Sequence, residues 1–302
     1  MQATDELNAL LSLIDDPDAE VYETVSGRLM HYGKPIIPEL ENLWETQPDQ
    51  MVQERIEMII RRLQLAELMD ELKGWRESGA KELLKGILLA GKFEQPNLDF
   101  ASITSELESL KKSIWLELNN FLTPLEQAKV MKNILYHHYD LKGTLLEFSE
   151  PDEFFLHKVI QQKQGNSLTN GILYHYLCQE LNIKTALIDI PGMYMLAFYS
   201  SDYSYNSLQR PPREAIQFFV DPLIGQPLTH QEIDRYLQRM NRIPEPAYFS
   251  PLSNLEIIQL LFHEAALCFR KNSNHPQKAE ELKILAHQLY LADHTAKKNI
   301  HD

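Results

Sequence analysis

The sequence predicts an α+β protein, mostly helical, in which a central helix packs on a small antiparallel sheet between helical N- and C-terminal regions. Three observations carry this. Leucines and isoleucines recur at three-and-four spacing through the first 70 residues and again after Thr229. Between them, "IKTALIDI" (183–190), "MYMLAFYS" (193–200) and "AIQFFVDP" (215–222) are strand-length runs rich in β-branched and aromatic residues. Pro191-Gly192 sits between the first two runs as a turn.

From the N-terminus, Asp15-Asp16-Pro17-Asp18 can stop one helix and cap the next, with proline tolerated in the first turn. Gly33 ends the second helix and Pro35 opens a third. Pro48-Asp49 and Val52 repeat Pro17-Asp18 and Val21 after about 31 residues, close to the period of a helical-repeat unit. The stretch "DDPDAEVYETVSGRLMHYGKPIIPEL" resembles HEAT repeats, which implies a short helical module at 1–75 that packs on the rest of the chain or presents a partner surface.

A helical bundle is expected over 76–150. "KELLKGILLAGKFEQPNLD" reads as an apolar helix broken before Pro96. "ASITSELESLKKSIWLELNNFL" carries Ile103, Leu107, Leu110, Ile114 and Leu118 along one stripe. "TPLEQAKVMKNILYHHYDLKG" starts with Thr123 as N-cap and Pro124 in the first turn, and is expected to end at Gly143. The α+β core spans 151–228. Two helices, "FFLHKVIQQKQ" and "SLTNGILYHYLCQEL", precede the strands, and the Pro-rich loop "SDYSYNSLQRPPREA" separates the second strand from the third. The 229–302 region is helical, with an antiparallel pair hinged at Asn274-His275-Pro276.

The 302-residue chain has 44% hydrophobic residues, enough for a core, and a formal net charge of −14. Acidic chains repel phosphate backbones, and basic clusters here are no longer than pairs such as Arg61-Arg62, so no nucleic-acid partner is expected. Cys178 and Cys268 are each surrounded by apolar residues and read as buried free thiols of a reducing cytoplasm. No cationic, apolar leader opens the sequence and no apolar run has membrane-spanning length, so a cytoplasmic location without membrane partners is expected.

The ordered pieces from about Leu83 to Ala292, some two thirds of the chain, resemble the bacterial SirB-type family, the second transglutaminase-core family. They are "LLKGILLAGKFEQPNLD", "FFLHKVIQQKQGNSLTNGILYHYLCQELNI", "PGMYMLAFY", "FVDPLIGQPLT" and the closing helix pair. The resemblance implies a transglutaminase-like, papain-like core. Active members use a cysteine at the N-terminus of the core helix, where the helix dipole and unpaired N–H groups lower its pKa and hold an oxyanion. A histidine at the start of the next strand pair takes the thiol proton, and an aspartate on the third strand orients it. Carried over, these positions fall at Ser167, Met193 and Asp221.

A serine without a base is a poor nucleophile, and methionine accepts no proton. Ser167 is therefore expected to be an N-cap, Met193 a core or pocket-wall residue, and Asp221 an anchor for the turn at Pro222. His175 and His157 read as half-exposed helix histidines rather than bases. His137-His138 has no metal-ligand spacing, and no metal or cofactor is expected. Cys178 lies about 16 Å along the helix from Ser167 and cannot replace the nucleophile. A surviving cleft or its rim would be lined by Asn166, Ser167, Asn170, Tyr194, Tyr203 and Tyr205. The expected function is that of a non-catalytic interaction or regulatory module with an unidentified protein partner. The alternatives are a hydrolase or acyl-transferase rewired through Ser167, Asp221 and His175 or His157, and a peptide or small-molecule binder reusing the cleft.

Overall fold

The computed structural model describes residues 2–201, 203, 211–272 and 275–298. The chain divides into two compact units, residues 1–74 and 75–302. Tyr205 and the hinge residue Asn274 lie outside the described residues.

The first unit holds α1 (Gln2–Leu11), α2 (Ala19–Met30), α3 (Ile37–Thr46) and most of α4 (Gln50–Glu77). Asp18 caps α2 by accepting from the Glu20 N–H at 2.9 Å, and Asp49 does the same for α4 with the Met51 N–H at 2.8 Å. The two Pro-Asp echoes in the sequence are thus two equivalent helix starts. Gly33 turns the chain after α2 with φ +69°. Leu10, Ile14, Tyr22, Leu29, Leu40, Ile56 and Ile59 form part of the core between these helices. Arg55 reaches back to the carbonyls of Ile14 (3.0 Å) and Asp16 (2.6 Å), satisfying acceptors that follow the end of α1.

The second unit begins with α5 (Leu83–Lys92), α6 (Phe100–Glu117) and α7 (Pro124–Lys132). Ile103, Leu107, Leu110 and Ile114 of the expected stripe are buried. Thr123 and Glu126 form a reciprocal capping box at the start of α7. The expectation that this helix runs to Gly143 is not met. After Lys132 the backbone widens into a π-helix over Asn133–His138, and Asp140 (φ +61°) ends it. Gly143 instead lies in β1 (Lys142–Thr144), which pairs parallel with β2 (Gln164–Asn166). A Cβ on Gly143 would stand 2.4 Å from the Leu223 carbonyl, so only glycine admits this approach.

Helix α8 (Leu156–Gln162) leads through β2 into α9 (Ser167–Glu180), the central helix. Every residue of α9 from Ser167 to Cys178 is buried. The strands that follow, β3 (Thr185–Ile190), β4 (Met193–Tyr199), β5 (Ile216–Asp221) and β6 (Gln226–Leu228), form a four-stranded antiparallel sheet in sequential order. This matches the expected strands with one short strand added. Gly192 takes φ +86° in the β3–β4 turn. Register places Leu187 opposite Leu196 and Leu196 opposite Val220.

Side chains alternate across a strand, so these three share a face. That face carries α9: Tyr174 meets Phe198 edge to face at 6.1 Å. On the other face, Ile188, Met195, Ala197 and Phe219 pack with Ile233 and Leu237 of α10 (His230–Arg239) and with Phe249. The Leu252 N–H donates to the Leu187 carbonyl (2.9 Å), blunting the outer edge of β3. The expected closing pair is α11 (Asn254–Asn272) and α12 (Pro276–Lys298). No helix among the described residues is long and apolar enough to cross a membrane.

Two glycine replacements should move stability in opposite directions. Gly143→Ala forces an overlap with the Leu223 backbone and should destabilise by about 1–3 kcal/mol. Gly27→Ala, in α2 with no atom within 4 Å of the new Cβ, should stabilise by roughly 0.5–1 kcal/mol. Guanidinium titration followed by far-UV circular dichroism reads both signs.

Candidate functional site

The mouth of α9 is built by the preceding chain. Lys163 adopts φ +54° and ends α8, and the β1–β2 ladder then delivers Asn166 in extended conformation. Asn166, not Ser167, is the N-cap. Its Oδ1 accepts from the amides of Leu168 and Thr169, both at 3.0 Å, and from Thr169 Oγ1 at 3.2 Å, while Nδ2 donates to the Glu153 carbonyl at 3.5 Å. A cap must be non-helical with its side chain folded over the first turn. Asn166 meets that condition (φ −95°, ψ −178°), and Ser167, already the first helical residue, does not.

Ser167 is 3% exposed, and its Oγ has no hydrogen-bond partner among the described residues. Asn170 donates to the Lys142 carbonyl at 3.1 Å, and its Oδ1 has no partner among the described residues. Glu153, which sequence reasoning missed, is buried against the same mouth. Its Oε1 accepts from Gln164 Nε2 (2.7 Å) and Thr144 Oγ1 (2.9 Å), and its Oε2 has no partner among the described residues. The only sequence signal for Glu153 was its place at the end of a Pro-Asp-Glu turn.

The other positions are at the same end of the sheet, on different terms. Met193 begins β4 and packs toward Ile190 and Met195 on the α10 side. It borders a groove of about 540 Å³ at the β3–β4 turn, shared with Glu264 and Cys268. The first residue of β4 turned to the α9 side is Tyr194, whose hydroxyl donates to Glu264 Oε1 at 3.1 Å. Burial, and then the Glu264 carboxylate, push the Tyr194 phenol well up. Asp221 Oδ1 accepts from the Leu223 N–H at 2.8 Å, anchoring the turn. Burial raises its carboxyl pKa and that hydrogen bond pulls against the rise.

The two candidate bases are buried, not half-exposed. His175 lies eight residues beyond Ser167, about 12 Å along the helix. Its Nδ1 is 3.0 Å from Thr185 Oγ1 and its Nε2 3.0 Å from Gln179 Nε2, and burial lowers its pKa to about 4. His157 is 3% exposed with neither ring nitrogen partnered among the described residues. Burial, aided by Lys158 and opposed by Asp152, lowers its pKa to about 4 as well. Cys178 and Cys268 are buried, and the Cys268 thiol donates to the Ser149 carbonyl at 3.1 Å. Burial raises the Cys178 pKa far above the thiolate-forming range. No cluster of metal-ligating side chains occurs among the described residues.

The expected cleft residues do not form one surface. Asn166, Ser167 and Asn170 gather at the mouth of α9, and Tyr194 is tied to Glu264. Tyr203 stacks on Tyr199 (4.9 Å between centroids, 14° between planes), beyond the opposite end of β4.

A central helix whose mouth meets one end of an antiparallel sheet is the frame expected from the sequence. The profile of the transglutaminase-like superfamily matches residues 101–262, more than half of the chain. The chain belongs to the transglutaminase-like superfamily. The matched segment runs from α6 into α11 and so contains the whole sheet and the mouth of α9. Comparisons with curated proteins and with solved structures find no match. Within this transglutaminase-like domain, the helix mouth holds buried side-chain oxygens, and among the described residues no thiol or imidazole is hydrogen-bonded to Ser167.

Two measurements check this description. Asn166→Ala should cost about 1–2 kcal/mol by uncapping α9, whereas Ser167→Ala removes an unpartnered hydroxyl and should be neutral or mildly stabilising. A clear loss of stability in Ser167→Ala would show that its hydroxyl has a partner. For His175, the folded pKa of about 4 lies below the ordinary value near 6.5, so the unfolded chain binds the extra proton between them. Stability is then complete above about pH 6.5 and falls as pH drops toward 4, by up to about 3 kcal/mol from this ring. His175→Gln should flatten that slope in denaturant titrations at pH 7, 6 and 5.

Proposed function

We propose that this protein is a non-catalytic member of the transglutaminase-like superfamily that works as an interaction or regulatory module. The observation that carries the reading is the isolation of Ser167 Oγ, buried and without a hydrogen-bond partner at the position the resemblance gives to the nucleophile. A serine needs a base within hydrogen-bond reach to attack a carbonyl. His175 is spent on Thr185 and Gln179 farther along α9, and His157 makes no bond to Ser167. That weighs against a hydrolase or acyl-transferase rewired through either ring.

The electrophilic half of the chemistry is also compromised. The Leu168 and Thr169 amides that open at the mouth of α9 already donate to Asn166 Oδ1, so they are not free to hold an oxyanion. Met193 stands where the SirB-type resemblance puts the base, and the neighbour that faces α9, Tyr194, keeps its proton and donates a hydrogen bond to Glu264. For the partner-binding role, support comes from the repeated helix starts at Asp18 and Asp49. They fit a short HEAT-like module with a protein partner.

The purified chain should show no turnover above buffer with p-nitrophenyl acetate or with a glutamine-containing peptide and an amine acceptor. Turnover that disappears in Ser167→Ala would overturn the proposal. Affinity capture with residues 1–74 altered on their exposed face addresses the partner separately.

A further inference from the structure

A second site lies at the opposite end of the sheet from the α9 mouth. The end of β4, the start of β3 and the first turn of α11 line an open cavity of about 430 Å³, within the range of small-molecule sites. Its floor includes buried His175, hydrogen-bonded to Thr185 and Gln179 and therefore fixed in orientation. One wall is the stacked pair Tyr199 and Tyr203, and facing apolar surface comes from Pro251 and Leu252. Lys81 and Lys184 also line it, both exposed and neither in an ion pair with a described residue. No aspartate or glutamate is among its described lining residues, although the chain carries 43 acidic against 29 basic side chains.

We propose that this cavity binds a small organic anion with a flat aromatic body. The aromatic body stacks along Tyr199 and Tyr203, and the anionic group meets the ammonium groups of Lys184 and Lys81. Two lysines without a carboxylate among the described lining residues favour anions over neutral compounds of the same shape. This site is independent of Ser167, and the inference stands whether or not the α9 mouth is catalytic.

Two probes sharing one ring system test it on the full chain. They are 1-anilinonaphthalene-8-sulfonate and N-phenyl-1-naphthylamine, which lacks the sulfonate. The sulfonate should bind at a single site, and the neutral probe about tenfold more weakly or less. Lys184→Glu should weaken sulfonate binding by about tenfold and leave the neutral probe unchanged, because it alters only the charge at the rim. Tyr203→Ala should weaken both probes. Both side chains are at least partly exposed, and far-UV circular dichroism verifies that each variant folds. Failure of the sulfonate to bind, equal binding of the two probes, or sulfonate affinity unchanged in Lys184→Glu would each overturn the proposal.

Discussion

Helix α9 has no solvated face along its first three turns, and the second unit is arranged around that constraint. An amphipathic helix needs one apolar partner layer, but one buried on all sides needs several. The sheet covers one side through Leu187, Leu196 and Phe198. Tyr174 reaches the Ala128 carbonyl of α7 (3.5 Å), which marks a second layer. The short β1–β2 ladder closes the N-terminal end. Because no residue of α9 from Ser167 to Cys178 is exposed, each polar group there must find a partner inside the protein or remain unsatisfied.

That constraint explains the uneven chemistry along the helix. Asn166, Thr169 and His175 are satisfied by near neighbours, whereas Ser167 Oγ and one oxygen each of Asn170 and Glu153 are not. Unsatisfied buried oxygens reduce stability, and here they cluster at the helix mouth, the position that the family resemblance gives to the nucleophile. The same burial keeps both histidines neutral near pH 7 and Cys178 protonated. Groups that could do acid–base or thiol chemistry elsewhere are therefore held in their uncharged forms, and none of them is hydrogen-bonded to Ser167 Oγ among the described residues.

Much of the fold was legible because it rests on local rules. The three long strands, the Pro191-Gly192 turn, the Thr123 cap and the buried stripe of α6 all follow from periodicity and turn chemistry. The end of α7 was not legible. Its π-helical extension and the strand role of Gly143 depend on contacts with Pro222 and Leu223, some 80 residues away, including the bond from the Tyr136 hydroxyl to the Pro222 carbonyl. At the site, the serine at the helix mouth was found from sequence, but its capping role was assigned one residue too late. Asn and Ser are both good caps, and only the backbone angle at the β2–α9 junction separates them. The burial of Glu153, His157 and His175 gave no local signal, since burial is a property of what packs over them.

The sequence by itself determined the class of fold, the order of its elements and the residue types available at the mouth of α9. Those follow from propensities and spacings that act over a few residues. The tertiary structure alone decided which way each of those residues faces. Met193 and Tyr194 are adjacent, yet strand register sends one toward α10 and the other toward α9. It also decided that the cavity beside Lys184 and Tyr203 exists, because its walls come from segments as far apart as Lys81 and Leu255 that only long-range packing brings together.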